Sequence, residues 1–139
     1  MRAIALDIGD KRIGIAVSEP TFNMALPYQT YNRRGKELDC KYIAELAAQK
    51  KADVIVCGIP YNADGTNSYQ TDKTRRFIEL LKEYTDIKIA EEDERYTTAQ
   101  AESILLEADM RREKRKQVID KVAASYILES FLSKQKKES

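Results

Sequence analysis

The sequence contains no histidine in 139 residues. That absence removes Ser-His-Asp and Cys-His catalysis, imidazole general bases and histidine metal sites. Hydrolytic chemistry would have to rest on carboxylates, lysines or metal ions. Cysteine is scarce. Cys40 and Cys57 are too few for a disulfide framework and too far apart for a zinc pair. Each reads as a small buried apolar residue, which fits a reducing compartment. A basic excess is also missing, because 24 basic and 23 acidic residues leave a net charge of +1. Any grip on a phosphate backbone must come from local patches. No apolar run is long enough to span a bilayer, and the first is interrupted by Asp7, unlike a signal peptide. The expected setting is the cytoplasm, with no membrane partner.

What is present reads as a single domain over 1–139. Arg2 to Leu6 and Ile13 to Val17 are short apolar runs joined by the turn-like Asp7-Ile8-Gly9-Asp10-Lys11, which predicts a hairpin. Pro27 to Tyr31 is a third candidate strand. Leu38, Tyr42, Ile43, Leu46 and Ala47 recur at helical spacing and predict a helix over about 35–50. Val54 to Cys57 is a β-branched run suited to a strand buried on both faces. A turn-rich segment from Gly58 to Asn67 leads to a helix over about 68–84, with Phe77, Ile78, Leu81 and Tyr84 on one face. Ile87 to Ala90 is another strand. Thr97 or Thr98 can cap a helix carrying Ile104, Leu105 and Ala108. After the basic run Arg111 to Lys116, a last helix spans about 117–133, and 134–139 reads as a frayed polar tail. An initial meander followed by β-α alternation implies an α/β protein. Its expected mixed sheet has three antiparallel strands, then parallel ones, with helices on its faces.

Acids sit at three places where carboxylates are awkward. Asp7 follows a buried run, Asp93 and Glu94 end the strand that starts at Ile87, and Asp120 lies among Val118, Ile119 and Val122. Strand ends in α/β sheets are where ligands bind. Clustered carboxylates repel one another unless neutralised. Hard cations prefer oxygen ligands, so two Mg²⁺ or Mn²⁺ ions are the natural partner. Two such ions can activate water and stabilise the leaving oxygen of a phosphodiester without histidine. Each acid also has a plain reading: a turn residue, a helix N-terminal charge, or a solvated acidic run in Glu91-Glu92-Asp93-Glu94. Lys11, Arg12 and Arg95 adjoin the acids and could hold a phosphate, or simply pair with neighbours. Arg111, Arg112, Lys114, Arg115 and Lys116 suit backbone contacts, or an exposed helix.

Together these segments resemble the YqgF/RuvX family. The resemblance is carried by four blocks in order: Ala5-Leu6-Asp7-Ile8-Gly9-Asp10-Lys11-Arg12-Ile13-Gly14-Ile15-Ala16-Val17-Ser18; Val56-Cys57-Gly58-Ile59-Pro60 with Asp64-Gly65-Thr66; Asp93-Glu94-Arg95-Tyr96-Thr97-Thr98-Ala99; and Lys116-Gln117-Val118-Ile119-Asp120-Lys121-Val122-Ala123-Ala124. They span nearly the whole chain. The resemblance implies a ribonuclease H-like fold and a metal-dependent nuclease. Its expected task is 5′-end maturation of pre-16S rRNA or resolution of Holliday junctions in branched DNA, working as a monomer or a homodimer. The implied catalytic and metal-binding acids are Asp7, one of Asp93 and Glu94, and Asp120. Strand alternation sends Asp93 and Glu94 to opposite faces, and Glu94 is the favoured one. Three departures stand out: Asp10 replaces a small residue and could join the metal site, Glu91 and Glu92 replace more apolar residues, and Glu19 replaces Asp.

Two other readings compete. One is a non-catalytic nucleic-acid-binding module on the same fold. The other starts from the Asp-x-Gly hairpin, which also resembles the phosphate loop of sugar kinases and actin-like ATPases, although those need two such domains.

Overall fold

The computed structural model describes residues 1–19, 24–95 and 112–138, with the side chains of 112–117 and 136–138 left out. The elements run β1 (Ala3–Ile8), β2 (Arg12–Glu19), β3 (Met24–Asn32), α1 (Lys36–Gln49), β4 (Val54–Ile59), α2 (Tyr69–Leu81), β5 (Lys88–Asp93) and α3 (Arg112–Glu138). The five strands form one sheet in the order β3-β2-β1-β4-β5. β1, β2 and β3 pair antiparallel, whereas β4 joins β1 and β5 joins β4 in parallel. The mixed sheet is the one the sequence predicts. The helix expected after Thr97 or Thr98 lies outside the described residues.

Strand alternation divides the core. Ile4, Leu6 and Ile8 of β1 pack with Cys40, Ile43 and Ala47 of α1 and with Phe77, Ile78 and Leu81 of α2. Ala3 and Ala5 face the other way, with Ala16, Val54 and Val56, onto Ala124, Ile127, Leu128 and Phe131 of α3. The second face is built of small residues, so α3 can lie close to the sheet. Gly14 shows how close. A Cβ there would stand 1.9 Å from the backbone oxygen of Asp120.

Several boundaries differ from the expected ones, for physical reasons. β5 runs to Asp93 rather than Ala90, because its parallel ladder with β4 continues as far as Ile59↔Asp93. The acidic run is therefore strand, and Glu92 is buried, taking hydrogen bonds from Ser130 Oγ at 2.9 Å and Lys134 Nζ at 2.5 Å. α3 spans Arg112 to Glu138, so positions 112–116 of the basic run and 134–138 of the expected frayed tail are helical. Arg, Lys, Gln and Glu are good helix formers, and Lys134 is anchored on Glu92. α2 stops at Leu81, leaving Tyr84 exposed in the following turn instead of on the core face. Leu38 is 54% exposed, and its neighbour Asp39 is fully buried in its place.

Asp39 is buried for a reason. Its Oδ2 accepts Arg33 Nε at 2.8 Å, and its Oδ1 accepts the Arg34 N–H at 2.9 Å. Gly35, at φ 127, makes the left-handed entry into α1 that sets this geometry. Burial alone would raise the Asp39 carboxyl, but hydrogen bonds from Arg34, Arg33 and Tyr31 outweigh it and hold the group below its usual range. Arg33 in turn donates to Gly9 O at 2.8 Å, and its N–H to Lys11 O at 3.0 Å. The pair thus clamps the β1–β2 turn just beyond Asp7. Asp39→Ala would strand Arg33 with its charge uncompensated. It is expected to cost about 3 kcal/mol in urea unfolding, and an unchanged midpoint would refute the clamp.

Candidate active site

β1, β5 and α3 bring three carboxylates together on the α3 face of the sheet. Asp7 is the penultimate residue of β1 and shares the parity of Ala3 and Ala5. Glu94 follows β5 directly, and its N–H donates to Ile59 O at 3.1 Å, so the ladder direction carries it to the same end. Asp120 reaches the site because Gly14, the register partner of Asp7 on β2, lets the α3 backbone down onto the sheet. Gly58 does the same for Glu94: a Cβ there would lie 2.5 Å from Glu94 Oε2 and 2.5 Å from Ile127 Cδ1.

The electrostatics are those of an acid cluster short of positive charge. Burial pushes Asp7 up to about 6, against the lowering effect of its hydrogen bond with Glu94 and helped by the charge of Asp120. Burial pushes Glu94 up to about 10, reinforced by the charge of Asp7, the hydrogen bond to it and the charge of Asp93. Near neutral pH the Glu94 carboxyl therefore keeps its proton and donates it to the Asp7 carboxylate. Asp120 Oδ2 takes Arg12 Nε at 2.7 Å. Among the described residues no group of three ligands is gathered tightly enough to hold an ion as it stands. The donor set nevertheless suits a hard divalent cation, which would replace the shared proton and relieve the repulsion.

A pH dependence follows. Both carboxyls hold protons in the folded chain that the unfolded chain releases near 3.8 and 4.5. Their contribution to stability is complete below those values and is lost as pH rises through the folded ones. Metal-free protein is expected to melt at progressively lower temperature between about pH 4 and pH 10. Glu94→Gln should flatten that slope in a calorimetric pH series. An equally steep slope in the variant would assign it to other groups.

Apart from Arg12, the remaining expected site residues that are described lie elsewhere. Asp93 turns away from Asp7 to Arg95, whose Nε and guanidinium nitrogen approach Oδ2 at 2.8 and 2.7 Å. Arg95 also donates to Ala63 O at 3.3 Å, so it braces the loop after β4. Asp10 is exposed and pairs with Lys73 Nζ of α2 at 3.0 Å, which holds its carboxyl below the usual range. Its partners are on α2, across the turn from the Asp7–Glu94 pair. Lys11 is exposed at the tip of the β1–β2 turn. Arg12 touches the cluster through its bond to Asp120. Arg111 and the side chains of Arg112, Lys114, Arg115 and Lys116 fall outside the described residues; positions 112–116 form the start of α3.

Sequence reasoning did not find Arg33 and Asp39, or the groove of about 500 Å³ beside the cluster that Arg12, Thr30, Asn32, Val118 and Lys121 line. The buried stripe Cys40, Ile43, Ala47, extended back by one residue, was the available signal for Asp39. The groove has no local signal, because strand register creates it.

Comparison with known proteins agrees with this architecture. The family model described as RuvX: Holliday junction resolvase matches residues 1–134. A Clostridium acetobutylicum protein, provisionally named pre-16S rRNA nuclease, is 42% identical over 96% of this chain and 98% of its own length. A Clostridium botulinum protein of the same name is 43% identical over 95% and 96%. Among solved structures, the fowlpox virus resolvase bound to Holliday junction DNA aligns with TM-score 0.61 at 13% identity, covering 97% of this chain and 99% of the resolvase. Thermus thermophilus RuvC with a Holliday junction aligns with TM-score 0.61 at 10% identity, covering 97% and 96%. These structures share the ribonuclease H-like fold with this chain.

Proposed function

Given that the chain belongs to the RuvX family and is a nuclease with the ribonuclease H-like fold, we propose that Asp7, Glu94 and Asp120 are its metal-binding catalytic acids and that it trims the 5′ end of pre-16S rRNA. The observation that carries the site assignment is the hydrogen bond between buried Glu94 and half-buried Asp7, beside Asp120. The clostridial relatives, similar over their full length, support the choice of RNA.

Asp7, Glu94 and Asp120 would hold Mg²⁺ or Mn²⁺, two ions in the arrangement common for phosphodiester cleavage. Bound there, such ions supply an activated water and stabilise the charge on the leaving oxygen. The protein contributes the rest. Glu94 is buried and Asp7 half-buried at the ladder ends of β1 and β5, which fix their separation. Glu94 must give up its proton, so divalent binding is expected to tighten with rising pH. Arg12, at 2.7 Å from Asp120, stands where it can exchange that carboxylate for a substrate phosphate oxygen. No described helix is long and apolar enough to cross a membrane.

The test is paired cleavage, with Mg²⁺ and with Mn²⁺, of the 5′ precursor segment of the small-subunit rRNA and of a four-way DNA junction. RNA cut alone supports rRNA maturation. Symmetric cuts in the junction alone favour the resolvase reading that the family description suggests, and with it a homodimer, since paired cuts mirror substrate symmetry. Binding of either substrate with no turnover in either metal would leave a binding module.

A further inference from the structure

The groove beside the acid cluster has a structure that sequence spacing hides. In the β1–β2 register Asp7 pairs with Gly14, and in the β2–β3 register Gly14 pairs with Thr30 and Arg12 with Asn32. Asp7, Gly14 and Thr30 therefore form one row across three strands on the α3 face, and Arg12 and Asn32 form the next. Gly14 contributes no side chain, and the α3 backbone at Asp120 fills the space above it, so Asp120 stands in that row between the Asp7 carboxylate and Thr30. α3 closes the other wall with Val118 and Lys121. The result is a trough of about 500 Å³ on the β3 side of Asp120, bordering the acids through Arg12.

Its lining is selective. Arg12 and Lys121 are cations, Thr30 and Asn32 are neutral hydrogen-bonding groups, Val118 is apolar, and no lining residue among the described ones is acidic. Arg12 sits at the junction, with Nε on Asp120 Oδ2 and its side chain forming the groove wall. Lys121 is the next residue of α3 after Asp120 and is half-buried. Such a surface fits an anion with a flanking polar ring, and Arg12 ties it to the acid cluster next to it. The start of the same helix, 112–116, carries Arg112, Lys114, Arg115 and Lys116 in sequence, so α3 grows more basic along its length away from Asp120.

We infer that this groove is the strand channel of the enzyme: it holds the sugar–phosphate backbone of the substrate strand next to the scissile linkage, with Lys121 and Arg12 on successive phosphates. The inference rests on Asp7, Glu94 and Asp120 being the cutting site. It adds Lys121, Asn32 and Thr30 to the substrate-binding residues and places the strand on the β3 side of the acids.

Binding of fluorescent oligouridylate and oligothymidylate is measured by anisotropy in EDTA over a salt series. Binding without divalent ions separates this channel from the metal reading, which the cleavage activity of Asp7→Asn judges by itself. Lys121→Gln is expected to weaken both oligonucleotides roughly fivefold and to reduce the slope of log affinity against log salt by about 0.7. Asn32→Lys should tighten both and steepen the slope. Lys82→Gln, on the exposed end of α2, should match the wild type. Unchanged affinity and slope in both groove variants, with thermal melts showing them folded, would overturn the channel. A loss confined to oligouridylate would overturn the phosphate contact, because it would mean that Lys121 reads the 2′-hydroxyl instead.

Discussion

Asp7→Asn protein is expected to fold, to be more stable than the wild type at pH 8 without metal, and to cut nucleic acid at least about a thousandfold more slowly. The two effects have one origin. Asp7 is held in a buried place beside Glu94 and Asp120, where its charge is costly and its carboxyl is pushed up to about 6. An amide of the same shape removes the charge and still accepts the Glu94 proton, so stability should rise by about 1–3 kcal/mol. The same change removes a hard anionic ligand from the cluster, and with it several kcal/mol of transition-state stabilisation. Chemical denaturation at pH 8 in EDTA and single-turnover cleavage with Mg²⁺ read the two quantities separately. A variant that is inactive and destabilised would make Asp7 a structural residue. A variant that is stabilised and fully active would remove it from the chemistry.

Much of this site could be read in the sequence because its parts lie at element ends. Asp7 follows an apolar run, and Asp93 and Glu94 close a strand whose alternation sends them apart, one to Arg95 and the other to Asp7. Asp120 was visible as an acid among Val118, Ile119 and Val122. What alternation could not supply was the environment of each charge. Asp10 looks from sequence like a fourth member of the cluster, but Lys73 of α2 claims it. Nothing in the spacing of residues 10 and 73 announces that contact. Glu92 reads as part of a solvated run, yet Ser130 and Lys134 of α3 meet it in the interior. Asp39 reads as the polar neighbour of an apolar Leu38, and the helix turns the other way because Arg33 offers a buried partner. In each case a partner distant along the chain, or across a turn, decides burial, and periodicity within one element carries no information about it.

Gly14→Ala is expected to be the most damaging single methyl in the molecule. Its Cβ would stand 1.9 Å from Asp120 O and 2.2 Å from the Asp120 carbonyl carbon. These are backbone atoms in the middle of a helix, so no rotamer change relieves the clash. α3 would have to lift from β2 by roughly an ångström and a half to restore ordinary contact. That opens the interface of Ala124, Ile127 and Leu128 with Ala3, Ala5 and Ala16. The expected cost is about 3 kcal/mol or more in urea unfolding. Asp120 moves with the helix, and a displacement of about 1 Å at a catalytic group can cost on the order of a hundredfold in rate. Gly58→Ala is the informative partner. Its Cβ meets Glu94 Oε2 and Ile127 Cδ1, both at 2.5 Å, and both are side-chain ends that can swing aside. It should cost only about 1–2 kcal/mol while displacing Glu94 from Asp7 and so losing most cleavage. The pair thus separates two jobs of the small-residue face: Gly14 seats the helix, and Gly58 seats one carboxylate. If Gly14→Ala melted like the wild type, α3 could not lie on β2 as described, and the approach of Asp120 to Asp7 would need another explanation. If Gly58→Ala kept full activity, Glu94 would not need its place against β4, and its role as a metal ligand would fall with it.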